Sequence, residues 1–260
     1  MRGCALHYSC GAARRVRSHI PGALSILKGA VPDRARGLGH MAPTYFRREP
    51  GIEVSNGHRG SALSMPNLTE TQSPKAALRA SALALRNALP SDQRAAAART
   101  IAARAFPVDV QSGTIVSGFM PLKSEINPLP LLRKLAEAGV QLALPAIAGR
   151  GKPLIMRAYN FGDKFARGQW GIREPMPDAP EVKPDILIVP LAAFDRAGHR
   201  IGYGAGYYDI TIKALRAKKK VVAIGIAFAS QEFPQVPATE RDERLDLVLT
   251  EREVIDCRWS

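Results

Sequence analysis

The segment Arg200-Ile201-Gly202-Tyr203-Gly204-Ala205-Gly206-Tyr207-Tyr208-Asp209 carries the densest chemical signal in this 260-residue chain. Three glycines at alternate positions let a backbone approach a ligand closely and turn its N–H groups into one concavity. Such a nest suits phosphate, above all where a helix begins just beyond it. A glycine-rich turn of no function is the plainer alternative, but the interleaved tyrosines add stacking surfaces that a mere turn does not need. Two familiar phosphate loops are missing. A dinucleotide fingerprint requires glycine where Tyr207 stands, and a Walker loop around Gly151-Lys152 requires glycine at Ala146 and Ser or Thr at Pro153.

A second set of candidates is cationic. Lys75, Arg79 and Arg86 stand at i, i+4 and i+11, which helical geometry gathers within roughly 40° of one another. The stripe borders the apolar positions Leu78, Ala82, Leu85 and Leu89, so its charges can lean over a cleft edge; a solvated basic face is the alternative. Met120 and Glu125 follow an apolar run at the end where open α/β sheets usually hold ligands. Four of the five histidines precede residue 73 and His199 adjoins the glycine loop. No Ser/His/Asp or histidine-metal constellation is therefore available beyond residue 72. Cys4, Cys10 and Cys257 form no C-x-x-C pair and no disulfide framework, which points to a reducing, cytoplasmic compartment.

The elements that must position these groups follow from periodicity. Ser73-Pro74 reads as an N-cap with proline at the first helical position, followed by Leu78, Ala82, Leu85 and Leu89 at helical spacing. Pro90-Ser91-Asp92 stops that helix and opens an Ala-rich one running to about Phe106. Strands are predicted at Thr114–Phe119, Gln141–Pro145, Leu154–Tyr159, Asp185–Pro190, Val221–Phe228 and Asp246–Leu249, and further helices at Pro128–Ala138 and Gly206–Ala217. Apolar, β-branched runs alternating with helices predict an α/β fold: a layered, mostly parallel sheet with helices on both faces.

Residues 1–72 hold ten Lys/Arg against four Asp/Glu, and residues 73–260 hold twenty-seven against nineteen, so the formal +14 divides into +6 and +8. The first segment mixes Gly, Pro, Arg and Ser without periodicity. It reads as a basic disordered tail, a targeting extension, or a mis-called N-terminus ahead of Met41 or Met65. Residues 73–260 are expected to form a single catalytic α/β domain. Their interspersed charge suits anionic small ligands rather than wrapped nucleic acid. The longest apolar runs, Ile186–Phe194 and Val221–Ala229, are about half what a spanning helix requires. Neither nucleic acid nor membrane is expected as a partner.

Several pieces together are similar to one family. Pro190 to Asp209, the opening helix with Lys75 and Arg79, Met120 with Glu125, Gly168–Pro175, and Asp246-Leu247-Val248-Leu249-Thr250-Glu251 resemble the 5-formyltetrahydrofolate cyclo-ligases over about residues 73–256. The resemblance implies a fold related to the sugar-phosphate isomerase and CoA-transferase type. It also implies ATP- and Mg²⁺-dependent closure of 5-formyl- to 5,10-methenyltetrahydrofolate. ATP contacts are implied for Lys75, Arg79, Arg200, Gly202, Tyr203, Gly204, Ala205, Gly206, Tyr207 and Tyr208. Folate contacts are implied for Met120, Glu125, Tyr203, Gly204, Ala205, Gly206 and Tyr207, and metal ligation for Asp209 and Asp246. No residue is assigned as a catalytic acid or base. Trp170 either stacks near a flat ring or belongs to the core. Arg241 stands where the family commonly has histidine before Asp242, and arginine cannot take over proton handling. The implied partner is a small reduced folate; the basic surface favours polyglutamylated forms, and the chain is expected to be a monomer. The alternatives are a non-catalytic nucleotide- or RNA-binding protein, suggested by Arg216-Ala217-Lys218-Lys219-Lys220, and an isomerase or CoA-transferase relative.

Overall fold

The computed structural model describes residues 73–259, the Trp170 side chain excepted. The readings of residues 1–72 lie outside the described residues. Helix α1 spans Pro74–Ala88 and is capped as predicted: Ser73 Oγ accepts from Ala76 N at 3.2 Å, an arrangement worth about 1 kcal/mol. Helix α2, Ser91–Ala103, starts after Pro90 without a side-chain cap and ends earlier than predicted. Strand β1 (Ile115–Ser117), helix α3 (Leu129–Glu137) and strands β2 (Gln141–Ala146) and β3 (Ile155–Tyr159) follow. Then come a hairpin of β4 (Phe165–Arg167) and β5 (Arg173–Pro175), strand β6 (Ile186–Pro190), and a second hairpin of β7 (Ala193–Phe194) and β8 (Arg200–Ile201). Helix α4 (Tyr207–Arg216) and strands β9 (Val222–Ile226), β10 (Leu247–Leu249) and β11 (Val254–Asp256) complete the chain.

Seven strands form one sheet in the order β11-β10-β9-β6-β1-β2-β3. Its interior pairs are parallel, and each edge is closed by an antiparallel strand, β3 on β2 and β11 on β10. The expected α/β class with a mostly parallel sheet is what the chain adopts. Alternation along the strands builds a core on each face. Ile186 and Ile188 join Val116, Leu142, Ile224 and Leu247 under α2 and α3, whereas Leu187 and Val189 join Ala223, Val248 and Ile212 of α4 on the other face.

Helix α1 belongs to neither layer. Its Leu78 and Ala82 pack on Ala193, Ile201, Val236 and Phe233, a small separate cluster around the β7–β8 hairpin. This docking carries the cations of α1 to the glycine loop, which leaves β8 and enters α4.

Candidate active site

The glycine loop joins β8 to the first turn of α4. Gly204 has φ +100° and Gly206 φ +69°, conformations that side chains rarely adopt. Gly206 ends the loop in the left-handed region immediately before α4 begins at Tyr207, so the loop runs into the positive end of a helix dipole. Its flanks are joined to each other. Arg200, buried, donates from Nη2 to Asp209 Oδ1 at 2.8 Å and from Nη1 to the Glu243 carbonyl. Asp209 Oδ1 also accepts from Glu243 N at 3.1 Å.

Of the α1 cations, Arg79 donates from Nε to the Gly202 carbonyl at 2.7 Å, and its guanidinium lies along Gly204. Lys75 is paired with Asp242, whose Oδ2 also accepts from Thr239 N at 2.6 Å and Thr239 Oγ1 at 2.8 Å. Burial opposes ionisation of Asp242, but Lys75 and Thr239 outweigh it and hold the carboxyl below its ordinary value. The stripe expected beside the apolar face of α1 differs in one respect. Leu85 is 49% exposed and Arg86 only 2%. Positions 78, 82, 86 and 89 face inward, so Arg86 lies within the buried face while Leu85 sits on its shoulder.

Arg86 connects two segments that the sequence suggested separately. Its Nη2 donates to the Tyr203 hydroxyl at 2.6 Å and its Nε to Ser124 Oγ at 3.1 Å, with Tyr203's ring centroid 5.6 Å away. Ser124 in turn is bonded to Asn87 of α1. Next to it is Glu125, buried, with Oε2 accepting from Leu122 N at 2.8 Å. Burial pushes the Glu125 carboxyl up, against the opposing effects of the Leu122 amide, Arg86 and Tyr203. Burial, and then the charge of Glu125, likewise raise the Tyr203 and Tyr208 phenols. Lys123 beside them has φ +52°, uncommon for a residue with a side chain.

The segment that carries Glu125 begins at Met120 and reaches Asn127, and both ends line an open cleft of about 410 Å³. Its walls are Tyr159 of β3, Phe161, Phe165 of β4, Leu129 and Pro130, with Arg133 and Arg173 among them. The Arg133 guanidinium lies 4.2 Å from the Phe161 centroid and that of Arg173 5.2 Å from Phe165. Aromatic walls with flanking cations suit a flat ring that carries carboxylates. Sequence reasoning found Met120 but missed Tyr159, Phe161, Phe165, Arg133 and Arg173. Tyr159 and Arg133 stand on β3 and α3, whose elements were predicted, but the short β4–β5 hairpin that brings Phe165 and Arg173 beside them leaves no periodic signal long enough to read.

The two metal candidates take different partners. Asp209 is in the first turn of α4, whereas Asp246 Oδ2 accepts from Arg216, in the last turn, at 2.8 Å and from Ala223 N at 2.7 Å. Seven residues of helix, about 10 Å of rise, separate Asp209 from Arg216. Among the described residues no group of three or more His, Cys, Asp or Glu could hold a metal ion. A hydrated magnesium shared with phosphates needs only one or two carboxylates, and Asp209, next to the loop, fits that need. The lysine-rich end of α4 is partly accounted for: Arg216 pairs with Glu243 and Asp246, and Lys219 with Asp185. No described helix is long and apolar enough to cross a membrane.

The chain is similar to several known proteins. The 5-formyltetrahydrofolate cyclo-ligase family model matches residues 71–251. The chain is 31% identical over 179 residues to the 5-formyltetrahydrofolate cyclo-ligase of Escherichia coli (strain K12), covering 65% of this chain and 96% of that protein. It is 33% identical over 152 residues to the Mycolicibacterium smegmatis cyclo-ligase, covering 55% and 77%. The NMR structure of Aquifex aeolicus 5,10-methenyltetrahydrofolate synthetase superposes with a TM-score of 0.60 at 28% identity, over 71% of this chain and 93% of that one.

Proposed function

The chain belongs to the 5-formyltetrahydrofolate cyclo-ligase family, and we propose that it closes 5-formyl- to 5,10-methenyltetrahydrofolate at the expense of ATP, with residues 73–260 as the single catalytic domain. The observation that carries this reading is the convergence of the glycine loop, the α1 cations and Glu125 around Tyr203. The formyl oxygen attacks the γ-phosphorus of ATP and ADP leaves. N10 then adds to the activated formyl carbon, the C–O bond breaks with departure of phosphate, and N10 loses its proton to solvent. Positioning and charge neutralisation dominate such chemistry.

The loop residues Gly202, Tyr203, Gly204, Ala205, Gly206, Tyr207 and Tyr208 present amides and aromatic faces to the nucleotide, with Arg79, Arg200 and Lys75 as its cationic surroundings. Lys75 keeps donors beyond the one it gives Asp242. Glu125 accepts pterin N–H bonds, and Met120 with the aromatic cleft takes the rest of the folate, its carboxylates toward Arg133 and Arg173. Asp209 is the proposed principal carboxylate for magnesium, which when bound neutralises charge on the phosphates. Asp246, whose Oδ2 is engaged by Arg216 and the Ala223 amide, is the second proposed carboxylate. The test is methenyltetrahydrofolate formation, followed by absorbance, from 5-formyltetrahydrofolate and Mg²⁺ with and without ATP. ATP-dependent product with stoichiometric ADP is expected, and product formed equally without ATP refutes the reading.

A further inference from the structure

Among the described residues two buried side-chain polar atoms have no hydrogen-bond partner, Arg86 Nη1 and Ser117 Oγ. The first is the more consequential because it belongs to a cation. Arg86 makes no ion pair: its two bonds go to the neutral hydroxyls of Ser124 and Tyr203. Glu125 feels its charge but accepts from the Leu122 amide. A buried guanidinium whose neighbouring carboxylate, Glu125, makes no direct ion pair with it is costly, and its orphaned donor bears the full desolvation penalty. Packing alone gives no reason for arginine here, since the rest of this face of α1 is apolar and a methionine would fill similar space. An anionic oxygen at Nη1 supplies both the missing acceptor and a direct ion pair, which a neutral carbonyl does not.

The surroundings identify the anion. On one side Arg86 holds Tyr203, the residue between Gly202 and Gly204 of the phosphate nest; on the other it holds Ser124, adjoining Glu125. Arg79 follows the same loop at Gly202 and Gly204. We propose that Arg86 is a ligand-binding residue of the reaction, its Nη1 donating to the phosphoryl group in transit between ATP and the formyl oxygen. This rests on the cyclo-ligase reading above. Charge on a transferring phosphoryl group spreads over three equatorial oxygens, so a cation beside the nest has most to gain in the transition state.

The experiment uses the full chain with Arg86→Met and Arg86→Lys. Melting temperature, kcat and both KM values are measured, together with product inhibition by inorganic phosphate. For R86M the expected result is an unchanged or raised melting temperature, kcat lower by about a hundredfold or more, and KM for ATP and folate within about threefold. Phosphate inhibition weakens at least about tenfold, and R86K recovers part of kcat. If R86M does not fold, R86K decides: kcat reduced with unchanged melting supports the proposal. Wild-type kcat in a folded R86M overturns it. So does a loss confined to folate affinity, which would assign Nη1 to a folate carbonyl, or a fall in melting temperature that accounts for the lost activity. A wild-type chain forming no methenyl product removes the underlying reading itself, whereas an active wild type with an indifferent R86M removes only this role.

Discussion

Alanine at Gly204 tests whether the loop is built as described. Gly204 has φ +100°, outside the left-handed basin that L-residues visit, and Gly206 has φ +69° and ψ 8° within it. A side chain costs about 1–2 kcal/mol in that basin and about 1–3 kcal/mol in less populated regions. A Cβ on Gly204 would lie 3.6–3.8 Å from the Arg79 guanidinium, ordinary contact distance, so no clash adds to the backbone cost. At Gly206, and at Gly202 with its φ outside the positive region, a Cβ meets nothing within 4 Å. The expected order of damage is Gly204→Ala, then Gly206→Ala, then Gly202→Ala. About 2 kcal/mol is expected for the first, roughly thirtyfold in an equilibrium constant. If the loop holds its shape, the loss appears as lower stability in denaturant titrations; if the loop relaxes, it appears as weaker nucleotide binding by calorimetry. Gly202→Ala retains full stability or gains about 0.4–1 kcal/mol through the unfolded state. A Gly204→Ala chain with wild-type stability and wild-type nucleotide affinity would refute the conformation assigned to this loop.

Asp242, held below its ordinary value by Lys75 and Thr239 against burial, contributes stability that is present above its unfolded value of 3.8 and lost as pH falls through the depressed folded value. Thermal melting from pH 6 to 3 should therefore show a shallower acid limb in Asp242→Asn than in wild type. Glu125, raised by burial, has the opposite sign: its contribution is full below 4.5 and lost as pH rises through the folded value. Glu125→Gln should gain stability relative to wild type between pH 4 and neutrality, while its folate KM rises about tenfold or more as a charged acceptor is lost. Asp209→Asn should raise the magnesium concentration for half-maximal rate, whereas Asp246→Asn should mainly lower melting temperature; the reverse pattern would move the metal to β10. Gly225→Ala places a Cβ 2.6 Å from Leu245 Cδ1 and 2.9 Å from Leu191 Cδ2, and denaturant titration should show about 1–3 kcal/mol of overpacking.

Long periodic elements were legible because one rule governed each. Ser73-Pro74 marked the start of α1, and the uninterrupted apolar run at Ile186–Pro190 marked a strand buried on both faces. The pieces that escaped are two or three residues long: β4, β5, β7, β8 and β11. They exist through pairing, and pairing across a turn as long as that from Arg167 to Arg173 is not written in local spacing. The site divides the same way. The glycine loop announces itself in composition, and Arg79 reaches it from α1 at the expected helical position. The interior place of Arg86 was hidden because nothing in the spacing distinguishes an arginine within the buried face from one bordering it. Tyr159, Phe161 and Phe165, which no local spacing links, become one wall only in the folded chain.

The bond from Arg200 to Asp209, reinforced at Glu243, makes the glycine loop a closed ring rather than a strap with two independent ends. A ring fastened during folding has already lost its configurational freedom before nucleotide arrives. Nucleotide association should therefore carry a small entropic penalty. If this loop holds the nucleotide, product departure should need no swing of it, and kcat should be insensitive to solvent viscosity at fixed ATP saturation. Opening the ring by Arg200→Met would transfer that ordering to every catalytic cycle, seen in calorimetry as a less favourable binding entropy.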